Sequence, residues 1–192
     1  FAKIELTVWP SYALGGGVGT KTAAQNLAKR TVNWFNNFYS TGRQSYFTSG
    51  GNGAAMRIQP HVWSSCGSRS EDEILLDVLK DSLVTHGHPH GFCGAIFHAK
   101  TLLDILLYNK VPDIRDWKKY IESFSVIPDL IRMDSQLSSF WLAEWESNSQ
   151  LSLSDSILKC QKEILYDLEN INAILQENNE KTYRRILEIT GC

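Results

Sequence analysis

Three segments carry residue types that helix packing does not require. The first is Ser49-Gly50-Gly51-Asn52-Gly53, which runs into Ala54-Ala55-Met56-Arg57. Its glycines free the backbone to take positive φ and leave its amides uncovered. The residues after them read as the first turn of a helix. Free amides at a helix start accept anions or the oxygens of a sugar diphosphate. Asn52 adds an amide that both donates and accepts. The same residues also suit a flexible loop before a core helix. Arg57 is either a ligand contact or a buried pairing partner.

The second segment is Thr85-His86-Gly87-His88-Pro89-His90-Gly91-Phe92-Cys93. Alternating histidines followed by a cysteine raise a zinc site as one reading. Such a run can ligate only from extended backbone, and no Asp or second Cys completes a ligand set. The competing reading is a surface turn with one functional histidine and two bystanders. His98 reads as a packing or surface residue, and His61 carries no motif.

The third is Leu14-Gly15-Gly16-Gly17-Val18-Gly19-Thr20-Lys21-Thr22. The phosphate-loop spacing G-x-x-x-x-G-K-S/T is missing and no strand precedes it, so nucleoside-triphosphate binding of that kind is not indicated. A helix from Thr20 to Phe38 would present its N-terminus to whatever fills the space before it.

The elements that must position these segments are helical. Ser70 and Glu73 form a capping box, and Glu71, Asp72 and Glu73 suit the positive end of a helix. Ile74, Leu75, Val78, Leu79 and Leu83 then make an apolar stripe that stops near His86-Gly87. Pro89 and Gly91 restart a second apolar helix with Ile96, Phe97, Leu103, Leu106 and Leu107 inward. Asp113 caps a third carrying Trp117, Tyr120, Ile121 and Phe124. Pro128 opens a short helix with Leu130, Ile131 and Met133. Ser152 to Asp155 starts the longest one, striped by Ile157, Gln161, Ile164, Leu168, Ile171 and Leu175. A break near Glu177 precedes a last segment with Tyr183, Ile186, Leu187 and Ile189. No alternating strand pattern stands out, and Leu6–Leu14 and Arg43–Phe47 read as short and irregular.

Composition sets the outer bounds. The 192 residues are 43% hydrophobic and 11% aromatic, ample for a packed core. With 19 Lys+Arg against 21 Asp+Glu, the chain lacks the basic excess that phosphate-backbone binding needs. No stretch approaches the roughly 18 apolar residues of a membrane span, and the start, Phe1-Ala2-Lys3-Ile4-Glu5, reads as having no charged n-region and no signal-peptide core. Phe1 in place of Met suggests a fragment or a processed form. Cys66, Cys93, Cys160 and Cys192 stand far apart, which reads as free thiols in a reducing cytosol.

Taken together, Gly51-Asn52-Gly53-Ala54-Ala55-Met56-Arg57, then Thr85-His86 with Pro89, then Gly94-Ala95-Ile96, resemble the ADP-ribosylglycohydrolase family in residues, order and spacing. The glycine loop from Gly15 to Thr20 is similar to a family loop as well. The resemblance covers residues 10 to 110 well and extends loosely to Ile189-Thr190-Gly191-Cys192.

It implies an all-α fold: one compact, orthogonal helical domain over residues 1–192, the central and therefore incomplete portion of the family fold. It implies that Gly50, Gly51, Asn52 and Gly53 line an ADP-ribose cleft, with Ser49 preceding them. His86 would lie beside the cleft, and Gly16 and Gly17 would help with the ribose or diphosphate. Met56 and Arg57 would serve packing. Family members cleave the bond between ADP-ribose and an acceptor at a binuclear magnesium centre. The Thr-Asp-Asp and Asp-Thr-Asp segments that hold those metals are not found here, nor is the upstream general-base carboxylate. Asp72 and Glu73 belong to a helix cap and Asp134 is isolated. The implied protein is thus an ADP-ribosyl glycohydrolase whose cradling portion is this chain. On this reading the chain alone has no catalytic residue and needs no magnesium, although the full-length family member does. The alternative is a catalytically dead nucleotide binder or a structural helical protein. The expected partner is ADP-ribose or an ADP-ribosylated substrate, not nucleic acid or membrane, in the cytoplasm.

Overall fold

The computed structural model describes residues 1–12, 16–42 and 44–176. Gly15, the break near Glu177, the stripe from Tyr183 to Ile189 and the segment Ile189–Cys192 lie outside the described residues. Among the described residues the chain is all-α, with only an isolated bridge between Ser40 and Ser45.

The core is built around α4 (Glu71–Leu83) and α5 (Pro89–Tyr108), which pack on each other. The capping box starts α4: Ser70 Oγ accepts from the Glu73 amide, and Glu73 Oε2 accepts from the Ser70 amide at 3.0 Å. Two otherwise orphaned donors are thereby satisfied. Ile74, Leu75, Val78, Leu79 and Leu83 are all buried, as their spacing predicts. Pro89 opens α5, where its missing N–H costs nothing. Asn109 closes it in the left-handed region at φ 50°.

Helix α5 also touches α2 (Gly53–Arg57), α3 (Gln59–Ser65), α6 (Trp117–Glu122) and α9 (Leu153–Gln176). By length and a mean hydropathy of 1.2 it could cross a membrane, which corrects the expectation that no such stretch exists. Its buried residues Phe92, Cys93, Ala95, Ile96, Ala99 and Leu103 belong to the core. Leu106 and Leu107, expected inward, are exposed in the last turn of α5. On α9, Ile157 is buried and Gln161 Nε2 donates to the Ile121 carbonyl at 3.0 Å. At its far end Ile174 is buried and Leu175 exposed, a drift of one position from the expected stripe.

The first long helix, α1, spans Val18–Leu27 and does not reach Phe38. β-branched Thr31 and Val32 disfavour continuation, and the Asn36 side chain captures the Asn33 amide at 2.5 Å. Asn37 then ties the following loop to the core, its amide donating to the carbonyls of Ala23 and Val84.

The turn between α4 and α5 is clamped by aromatics. Tyr46 donates to the Leu83 carbonyl at 2.8 Å and accepts from Trp141 Nε1 at 2.8 Å. Trp145 Nε1, at the middle of α8 (Leu142–Ser149), donates to the Gly87 carbonyl at 2.7 Å. A Cβ on Gly87 would stand 2.2 Å from Tyr46 Cε1, so only glycine allows this approach.

Candidate functional site

A cavity of about 710 Å3 opens between the N-terminal segment, the start of α1, the start of α2 and the α4–α5 turn. Gly16, Gly17, Gly51, Asn52, Gly53 and His86 line it together. Three segments far apart in sequence thus meet on one space.

Two helix starts face this space. In α1 the first backbone bond runs from Lys21 N to Gly17 O, which leaves the amides of Val18, Gly19 and Thr20 without helical partners. In α2 the first runs from Met56 N to Asn52 O, which frees those of Gly53, Ala54 and Ala55. Both ends carry partial positive charge. Asn52 precedes α2, and its side chain makes no capping bond.

Ser49 and Gly50 are turned elsewhere. Ser49 is buried, its Oγ 2.5 Å from the Tyr39 hydroxyl and 3.0 Å from Gln44 Nε2. Tyr39 in turn donates to the Thr85 carbonyl at 2.9 Å, tying the glycine loop to the histidine turn. A Cβ on Gly50 would lie 2.9 Å from His88 Nδ1, so this glycine permits packing against His88. Neither residue is among those lining the cavity.

The histidine segment runs from buried to exposed: Thr85, His86 and Gly87 are buried, whereas His90 is at the surface. His86 is only 4% exposed, and its Nδ1 lies 2.6 Å from Thr85 Oγ1. Burial, reinforced by the nearby Arg57 charge, pushes its pKa down to about 4. The ring is therefore neutral at pH 7. His88 and His90 stack edge to face at 4.9 Å and line a different cavity.

Arg57 resolves toward pairing. Its Nε donates to Asp81 Oδ1 at 2.7 Å and its Nη2 to the Asp81 carbonyl at 2.5 Å. His61 Nε2 lies 3.2 Å from Asp81 Oδ2, so a histidine without a motif completes a buried charge network. That hydrogen bond is the main cause of the raised His61 pKa. Burial alone would raise the Asp81 carboxyl, but His61 and Arg57 outweigh it and hold the pKa low. Arg57 Nη1 is buried without a partner, while Arg57 itself lines the cavity. Met56, expected to pack, is 67% exposed and also lines it.

Sequence reasoning passed over the aromatic wall. Trp9 and Tyr12 line the cavity, and a Cβ on Gly16 would meet the Trp9 ring at 2.0 Å. The available signal was a cluster of aromatics ahead of a glycine run, without regular period.

The fold and the cavity define an all-α protein with a site suited to an anionic, oxygen-rich small molecule. The chain belongs to the ADP-ribosylglycohydrolase family: the family model of that description matches residues 5–173. No curated protein and no solved structure matches it.

The family's metal finds no fitting donor set among the described residues. Hard cations need several oxygen ligands placed together. Glu5 is the one carboxylate lining the cavity, and Asp81 is engaged by Arg57 and His61. No group of three His, Cys, Asp or Glu among the described residues could hold a metal ion, the zinc reading of the histidine turn included.

Proposed function

We propose that this cavity binds the ADP-ribose moiety of an ADP-ribosyl glycohydrolase substrate. The observation that carries this reading is the meeting of the start of α1, the glycine-asparagine loop before α2 and Arg57 on one cavity. A diphosphate satisfies all three: backbone amides take its oxygens, and the guanidinium offsets its charge. The Asn52 amide and the neutral His86 ring, both lining the cavity, can exchange hydrogen bonds with ribose hydroxyls. Trp9 and Tyr12 offer flat apolar surface to a base. Among the described residues a Cβ on Gly51 would meet nothing beyond its chain neighbours within 4 Å, which leaves room for a ligand at that backbone.

Calorimetric titration with ADP-ribose tests the reading. Asn52→Ala removes an unpaired donor and acceptor, so binding should weaken roughly tenfold to a hundredfold with the thermal midpoint kept. Lys118→Ala, an exposed position on α6, is the control. Unchanged affinity in Asn52→Ala would reduce the glycine loop to a turn.

The lack of a fitting metal set favours a second reading, in which the chain holds ADP-ribose without cleaving it. An ADP-ribosylated arginine peptide, supplied with magnesium, separates the two. Release of ADP-ribose supports hydrolysis by this chain, whereas binding without release supports the holding role.

A further inference from the structure

A second cavity, of about 590 Å3, shares no lining residue with the first. It lies between the start of α5, α8 and α9. Phe47, Trp145 and Leu151 give it apolar walls. Trp145 Nε1 is committed to the Gly87 carbonyl at 2.7 Å, so its ring offers this space only carbon surface.

Ser156 breaks the pattern of the core. It lies on α9, lines the cavity and is only 6% exposed. Ser82, buried within α4, donates its hydroxyl to the Val78 carbonyl at 2.7 Å. The Ser156 hydroxyl has no such partner among the described residues. Burying a hydroxyl unpaired is costly, so such a group marks a place that something else completes.

Two further donors line the same cavity. His88 Nδ1 accepts from the His90 amide at 3.2 Å, so Nδ1 holds no proton and the ring carries its proton on Nε2. Burial lowers the His88 pKa, in keeping with a neutral ring. The Cγ–Nδ1 edge faces Gly50, where a Cβ would stand 2.9 Å from Nδ1 and 3.2 Å from Cγ. Nε2 is the ring atom opposite that edge and has no partner among the described residues. Lys159 Nζ lies 4.0 Å from Glu163 Oε1, whereas Glu163 Oε2 has a closer partner in His90 Nε2 at 3.0 Å. The start of α5, a helix of 20 residues, adds partial positive charge at this wall.

We propose that this cavity is a second ligand site, for a small molecule with a flat apolar body and a single carboxylate. The body lies against Phe47, Trp145 and Leu151. The carboxylate takes the Ser156 hydroxyl, the His88 Nε2 proton and the Lys159 ammonium. Its two oxygens accept about four hydrogen bonds, so all three donors are used at once. A phosphate fits less well, because its second charge would meet Glu163 in the same lining. The volume falls within the roughly 300–1,000 Å3 of small-molecule pockets. The site stands independently of the ADP-ribose reading.

Calorimetric titration of the whole chain with 2-naphthylacetate at pH 7 tests this. Saturable binding at one site is expected. 2-Naphthylacetamide keeps the ring and loses the charge, so it should bind about tenfold more weakly; 2-naphthyl phosphate should bind no more tightly than the carboxylate. Ser156→Ala removes the unpaired hydroxyl, so affinity should fall about tenfold while the melting midpoint is kept or rises. Lys159→Gln should weaken the carboxylate and leave the amide unchanged. Asn52→Ala, in the first cavity, should leave naphthylacetate binding as it is, which keeps this test separate from that of ADP-ribose. Absent or non-saturable binding, equal affinity for the amide, or full affinity in Ser156→Ala would each overturn the proposal. So would a lowered Ser156→Ala midpoint, which would mean that the hydroxyl is paired within the protein. Tighter binding of the phosphate would overturn the choice of a carboxylate, and loss of binding in Asn52→Ala would place the probe in the first cavity.

Discussion

Arg57 spends two of its donor nitrogens on a single residue, Asp81, keeps the third, Nη1, buried without a partner, and also lines the cavity. One residue thus belongs to both the core and the candidate site. Asp81 is nearly buried, so its removal leaves the Arg57 charge without a counter-ion. Asp81→Ala should cost about 3–5 kcal/mol, the range for breaking a buried pair. Urea unfolding at pH 7 measures this. A loss below 1 kcal/mol would mean that Arg57 finds another partner or reaches water.

The charge network should also leave a mark on stability at high pH. The folded His61 pKa is raised, so its contribution is fully present below the unfolded value near 6.5. It is lost as pH rises through the folded value. His61→Gln should therefore destabilise more at pH 6 than at pH 9, and thermal midpoints across that range read the difference. A constant difference would detach His61 from Asp81.

His86 acts with the opposite sign. Its folded pKa is lowered to about 4, so between pH 6.5 and pH 4 the unfolded chain binds a proton that the folded chain refuses. Stability should fall as pH drops through that window, by about 3 kcal/mol at 1.36 kcal/mol per pH unit, and level off below it. His86→Asn should flatten this part of the profile. If the slope survives, another buried group is responsible.

Local chemistry made much of the fold legible. The Ser70–Glu73 capping box, the α4 stripe and the proline at the start of α5 are decided within one or two turns, and each stands where its residues place it. The end of α1 was not legible, because it depends on Asn37 reaching carbonyls of Ala23 and Val84. The site divides in the same way. Glycine and asparagine advertise the loop, but Ser49 is turned inward by Tyr39, a contact no local pattern encodes. His61 carried no signal because its partner Asp81 lies on another helix.

Tyr46 and Gly87 give a steric prediction. Gly87→Ala would drive a methyl into the Tyr46 ring, which is held by Leu83 and Trp141 and has no room to yield. Overpacking of this kind costs typically 1–3 kcal/mol. Calorimetric melting should show the loss, and Tyr46→Leu in the same background should recover part of it. An unchanged midpoint would show that the turn shifts freely.

Gly51 and Gly53 separate a binding role from a folding role. Among the described residues a Cβ on Gly51 meets no atom beyond its chain neighbours within 4 Å, so Gly51→Ala should leave stability within about 0.5 kcal/mol of the wild type. A Cβ on Gly53 would lie 3.2 Å from Thr20 Oγ1 and 3.3 Å from His86 Cε1, so Gly53→Ala presses on both and should lower the melting midpoint. If ADP-ribose approaches the loop backbone, both substitutions weaken its binding, but only Gly53→Ala also weakens the fold. Paired measurements of the melting midpoint and of ADP-ribose affinity distinguish these effects. Loss of affinity in Gly51→Ala at full stability points to the ligand, because among the described residues the added methyl meets no atom beyond its chain neighbours within 4 Å. Full affinity in Gly51→Ala would place the ligand away from this stretch of backbone and leave the start of α1 as the remaining anion-accepting surface of the cavity.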